Sequence, residues 1–152
     1  PRPMARDQRV AYIAENPSQM MLFQDMSYLR NLTFCLPRQI DSWFRRRSIY
    51  RSLRRELTPE LGAVFDKDIR DLNAQEKYAL IFRRVLLQQP RMVFFEQPFW
   101  GNDVLLQQHI ERQGQLLLAK KIAVVVLIVG IYDAFPLAER TLIYKNGHLL
   151  TQ

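Results

Sequence analysis

Cysteine is almost absent: Cys35 stands alone in 152 residues. That excludes an internal disulfide and fits a reducing compartment. Histidine is nearly as scarce, and neither His109 nor His148 has a cysteine or carboxylate beside it at metal-ligand spacing. Long apolar runs are missing too. The stretch at 122–128 (IAVVVLI), even extended to Tyr132, stays well short of the ~18 apolar residues that cross a bilayer. No initiator methionine, signal peptide or transit pattern precedes Pro1-Arg2-Pro3, so the chain reads as a fragment or a processed form.

What is present is an ordinary globular composition, 48% hydrophobic and 24% charged. Its length suits one domain with a real core. The net charge of +7 and pI near 9.9 admit nucleic acid, anionic lipid or an acidic protein surface as partner.

The organising stretch is 72–103, LNAQEKYALIFRRVLLQQPRMVFFEQPFWGND. Its first half is apolar on nearly every face (Tyr78, Leu80, Ile81, Phe82, Val85, Leu86), which predicts a buried helix. A turn at Pro90 leads to Met92-Val93-Phe94-Phe95, a short continuous apolar run of the kind expected in a parallel strand covered on both sides. Glu96, Gln97 and Asp103 then fall beyond the carboxyl end of that strand, where open α/β sheets bind ligands.

Around this block, Arg9 to Ala14 reads as a strand, and Ser27 as the N-cap of a helix reaching Phe34. The region 37–71 reads as helical. Ile40, Trp43, Phe44, Tyr50, Leu53 and Leu57 form a ragged apolar stripe opposite Arg45, Arg46, Arg47, Arg51, Arg54 and Arg55. Packed aromatics would make the arginines a solvated face; exposed aromatics would make the stripe an anchor for a partner. The first arrangement is expected, with Trp43 buried. Thr58-Pro59-Glu60 is expected to end that helix and start a shorter one containing Gly62. Residues 104–121 read as a helix turning Leu105, Leu106, Ile110, Leu116 and Leu117 to the sheet. The β-branched run at 122–128 reads as a central buried strand, and Asn146-Gly147 predicts a closing hairpin. Strands are thus expected near 9–14, 91–96, 122–129, 141–145 and 148–151.

The central block resembles the signature-to-D-loop segment of the ATP-binding-cassette (ABC) ATPases, without gaps. Leu72-Asn73-Ala74-Gln75-Glu76 stands at the L-S-G-G-Q position, Glu96-Gln97-Pro98 at D-E-P, and Gly101-Asn102-Asp103 at the D-loop. Outside the block, Phe23, Asp25-Met26-Ser27 and Asn31-Leu32 are similar to the run after the Q-loop, with Glu15 at the glutamine position. Ala138-Glu139-Arg140 is similar to the A-D-R before the family's final hairpin. The implied fold is an α/β, P-loop-NTPase-like parallel-sheet core, incomplete at the N-terminus. It would be a single partial domain over 1–152, with a helical subdomain near 38–70 and a C-terminal β-hairpin.

The resemblance also implies altered chemistry. Glu96 replaces the Walker B aspartate of the magnesium shell, and Gln97 replaces the glutamate that orients water, a poor exchange for a general base. Asn73, Ala74 and Gln75 put side chains where backbone amides approach the partner's γ-phosphate. Ile131 stands where the switch histidine belongs. No phosphate loop G-x-x-x-x-G-K-[ST] is present. The nearest look-alike, Gly114 to Lys121, lacks the second glycine and the hydroxyl, and sits in a helix leading into a strand.

No catalytic residue is therefore expected intact, and Glu15, Asn73, Ala74, Gln75, Glu76 and Asp103 are vestigial nucleotide-site positions. No cofactor is expected; ATP and magnesium would need an upstream segment. The implied role is structural or regulatory, in the cytoplasm at the inner face of a membrane, beside an integral membrane permease or a second cassette, with a homo-oligomer possible. Two alternatives stand: the C-terminal part of a nucleotide-binding cassette, and a basic nucleic-acid-binding module, the latter without an aromatic platform to support it. The resemblance places the loop-leading strand between the Met92 and Ile122 strands. Without it, those strands should close together or have the gap filled by another chain.

Overall fold

Three parallel strands form the centre of the computed structural model, which describes residues 10–34, 43–99, 101, 103–130 and 138–151. They are β1 (Val10–Ile13), β2 (Met92–Glu96) and β3 (Ala123–Leu127), in the order β1-β2-β3. Val10 pairs with Met92 through Ile13 with Phe95, and Met92 pairs with Ala123 through Glu96 with Leu127. The expected closure of β2 on β3 is thus met. The pairing between them is unbroken from Met92 to Glu96.

Between β1 and β2 the chain is helical. Helices α1 (Pro17–Met20) and α2 (Tyr28–Thr33) precede the long α3 (Trp43–Leu61), two 3-10 turns at Gly62–Val64 and Ile69–Asp71, and α4 (Ala74–Leu87). Helix α5 (Val104–Ala119) joins β2 to β3, and the antiparallel hairpin β4 (Leu142–Lys145) and β5 (His148–Thr151) follows. Asn146 and Gly147 form its turn with φ of 50° and 83°, both central residues in the left-handed region that a type I′ turn requires.

The core lies on one side of the sheet. Ala11, Ile13, Val93 and Phe95 are buried with Leu80, Ile81, Phe82 and Val85 of α4 and with Leu106, Ile110 and Leu117 of α5. Phe82 and Phe95 meet at 5.6 Å between ring centroids. Helix α4 is buried as its sequence predicts. Two expectations fail here. The alternate positions of the outer strands, Val10, Tyr12, Val125 and Leu127, are exposed, and Met92, Phe94 and Glu96 of β2 are only half-buried, so the second face of β2 is less covered than expected. Strand β3, expected to be central, is an edge strand whose alternate residues reach solvent. A continuous apolar run does not reveal which of its two faces is covered.

The helices bring further corrections. In α5 the buried stripe is Leu106, Ile110, Gly114 and Leu117, whereas Leu105 and Leu116 are 66% and 46% exposed. Those two lie off the face that the 3.6-residue period aligns. Pro59 does not break α3 but lies inside it. Thr58 is no N-cap: its hydroxyl donates back to the Arg54 carbonyl within the helix. Pro59 and Thr58 are both exposed, so water can serve backbone groups that the proline leaves unpaired. Gly62 begins a 3-10 turn instead of a helix interior. Ser27 does cap α2 by position, but its side chain makes no capping bond. The segment is held instead by a bridge from Ser27 to Asp68 and by Tyr28 N–H donating to the Lys67 carbonyl at 3.3 Å.

Candidate functional site

Three features converge on the carboxyl end of the sheet: the turn after β1, the start of α4, and the end of β2. Each is built from its own local sequence.

The turn after β1 is organised by Asn31, which is fully buried on α2. Its Oδ1 accepts from Phe23 N–H at 2.8 Å. Its Nδ2 donates to the carbonyls of Phe23, Met26 and Ser27 at 2.9, 3.2 and 3.3 Å. One amide thereby fixes the loop that follows the Glu15 position. Asn31 belongs to the run that carried the resemblance, but sequence alone gave no view of this network.

The start of α4 is a self-contained capping box. Asn73 Oδ1 accepts from Glu76 N–H at 2.8 Å, and Glu76 Oε2 accepts from Asn73 N–H at 2.9 Å. Lys67 closes on the other carboxylate oxygen at 3.1 Å. Glu76 titrates below its usual range, first because of the Asn73 N–H and then because of Lys67, with burial opposing. The pattern N-x-x-E announces this box, while the Lys67 contact is invisible in sequence. Ala74 and Lys77, with Ser18, Gln19 and Gln24, line an open groove of about 510 Å³ between the α1 region and the head of α4. Gln75 is exposed beside it.

At the end of β2, Glu96 accepts a hydrogen bond from the Tyr12 hydroxyl of the neighbouring strand. Tyr12 holds its proton above the usual phenol range, first through this bond, then through burial and the charges of Glu96 and Glu15. Gln97 has φ of 43°, unusual for a residue with a side chain, and its N–H donates to the Leu127 carbonyl at 2.8 Å. Asp103 is the N-cap of α5, accepting from Leu106 N–H at 2.8 Å. Tyr12 was missed in the sequence; the signal was strand alternation, which puts it on the same sheet face as Phe94 and Glu96.

The structure therefore gathers Glu96, Gln97 and Tyr12 at one strand end and makes caps of Asn73, Glu76 and Asp103. Ile131 lies outside the described residues, as do the side chains of Trp43, Phe44, Arg45 and Arg46. Of the remaining arginines on α3, Arg47, Arg51, Arg54 and Arg55 are exposed, with Arg54 paired to Asp66 at 2.7 Å. The resemblance implies a magnesium shell at the Glu96 position. The Glu96 carboxylate is engaged by a phenol, and among the described residues no three His, Cys, Asp or Glu side chains form a group that could hold a metal. No described helix is long and apolar enough to cross a membrane.

Comparison with known proteins follows the same lines. No family model matches the chain. It is 27% identical over 142 residues to the lipopolysaccharide export system ATP-binding protein LptB of Acidithiobacillus ferridurans, covering 93% of this chain and 57% of that protein. Its fold matches cbiO1 of Clostridium perfringens, described as part of the ABC transporter complex cbiONQ. The TM-score is 0.68 at 16% identity, over 94% of this chain and 56% of that one. It also matches the ADP conformation of MJ1267, an ATP-binding cassette of an ABC transporter. There the TM-score is 0.67 at 16% identity, over 93% and 59%. The chain thus spans a little over half the length of each. It is similar in sequence to one ABC cassette and in fold to two others, as a partial ABC ATPase-like domain.

Proposed function

We propose that this chain is a cassette-derived domain that does not hydrolyse ATP and acts as a structural or regulatory element beside a membrane permease or a second cassette. The observation that carries this reading is the head of α4. A helix start can receive a phosphate when its N–H groups are free and its field is unopposed. Here Asn73 occupies the Glu76 N–H, and Glu76 adds a carboxylate at the place an anion would approach. Gln97, lacking a carboxylate, cannot act as the base on water. Such an element would work in the cytoplasm, peripheral to the inner face of the membrane. The test is equilibrium binding of a fluorescent ATP analogue with magnesium. Native binding as strong as, or stronger than, that of a Glu76→Gln/Asn73→Ser variant is a loss for this reading; weaker binding by the native chain supports it.

One observation favours a second reading, a cassette whose phosphate loop lies in further polypeptide. The sheet face bearing Val10, Tyr12, Val125 and Leu127 is exposed in a chain that covers 57% of the relative it matches. ATP binding by a longer native form, absent in this chain, would select it.

A further inference from the structure

We propose that Tyr12 holds Glu96 in a cross-strand clasp, so that the carboxylate ending β2 serves the sheet and is withheld from a divalent cation. The inference builds on the reading of Glu96 as a former metal-shell position. Tyr12 pairs in register with Phe94, so its side chain shares a sheet face with Phe94 and with Glu96 two residues on. Two residues of strand advance about 6.6 Å, a span that a phenol leaning along the strand can bridge. The ring lies over Phe94, with centroids 6.2 Å apart and planes at 23°, and its hydroxyl donates to Glu96 Oε2.

The chemistry of the two partners suits this role. A neutral phenol gives a charge-assisted hydrogen bond to a carboxylate without bringing a second charge. Glutamate has one methylene more than aspartate, which lets its carboxylate fold back over the sheet face towards the hydroxyl. Strand β1 makes no other side-chain hydrogen bond to β2 among the described residues, and β1 is an edge strand of only four residues. Main-chain pairing to β2 and this clasp are what hold its open face. The hydroxyl holds one of the two carboxylate oxygens over the sheet face, so a cation could take both oxygens of Glu96 only by displacing it.

The test joins a thermodynamic cycle to a metal titration. Urea midpoints are measured for the native chain, Tyr12→Phe, Glu96→Ala and the double variant. Manganese binding is read from water-proton relaxation for the native chain and Glu96→Ala; should Glu96→Ala not fold, Glu96→Gln takes its place in both arms. The clasp predicts that each single substitution lowers the midpoint and that the second adds less than half its effect in the background of the first. It also predicts the same manganese relaxation with and without the Glu96 carboxylate. Additive midpoints, or manganese binding that depends on Glu96 in the native chain, would overturn it. Neither arm measures hydrolysis, so ATP turnover by the chain would sink the proposed function while the clasp stood or fell on its own cycle.

Discussion

Replacing Asn31 by alanine should cost this domain about 2–4 kcal/mol, since each stranded buried polar group costs about 1–3 kcal/mol. The side chain makes four hydrogen bonds, but the loss is smaller than four. The Phe23 carbonyl still accepts from Met26 N–H, and the Ser27 carbonyl from Asn31 N–H. Phe23 N–H and the Met26 carbonyl are the two groups left without a partner. Asn31→Asp is the sharper variant. It keeps an oxygen for Phe23 N–H but replaces the amide donor with a carboxylate oxygen facing three carbonyls. It should destabilise at least as much as alanine at neutral pH and recover partly on acidification. Urea denaturation followed by far-UV circular dichroism measures both. An alanine variant within about 0.5 kcal/mol of the native chain, the ordinary range for a surface change, would refute the view that this amide organises the loop after β1.

Asn73→Ala should cost about 1 kcal/mol, the usual worth of an N-cap side chain, and Asn73→Ser should restore most of it in the same denaturation assay. His109 supplies a pH test. Burial, and secondarily Arg112, hold its pKa below 6.5, so the unfolded chain binds the proton more readily than the folded one. Its contribution to stability is therefore full above pH 6.5 and declines as the pH falls towards the folded value. Glu76, also depressed, contributes above its usual value of 4.5 and loses its share below it. Melting temperatures across pH 7 to 4 should show a slope below 6.5 that His109→Gln flattens.

The elements with a strong local signature were legible in the sequence. Helix α4 announced itself by its apolar density and the hairpin by Asn146-Gly147, whereas the N-x-x-E cap at Asn73 and Glu76 is a local signature missed among the expectations. All five strands fell near the expected positions. What failed otherwise was what depends on distant partners. The pattern at 122–128 carries β propensity but does not say whether its neighbours lie on one side or two, so an edge strand looked central. Thr58-Pro59 has the composition of a helix start, yet α3 runs through it to Leu61, with both residues exposed in the helix's last turns. At the site, the named positions were legible through the resemblance, but their employment was not. That Asn73 and Asp103 serve as caps is local chemistry; that Glu96 is tied to Tyr12, 84 residues away, depends on the register of two strands, which no spacing along the chain encodes.

The most direct measurement of the central claim is an ATPase assay on the native chain beside the revertant Glu96→Asp/Gln97→Glu, with millimolar ATP and magnesium. The revertant regains the shorter metal-shell carboxylate and a carboxylate able to orient water. Phosphoryl transfer, however, rests mainly on positioning and charge stabilisation of the phosphates, and α4 offers a capped, acidic start where they would be received. The account predicts no magnesium-dependent turnover above background in either protein. Clear turnover in the revertant that vanishes when Gln97 is restored would contradict it.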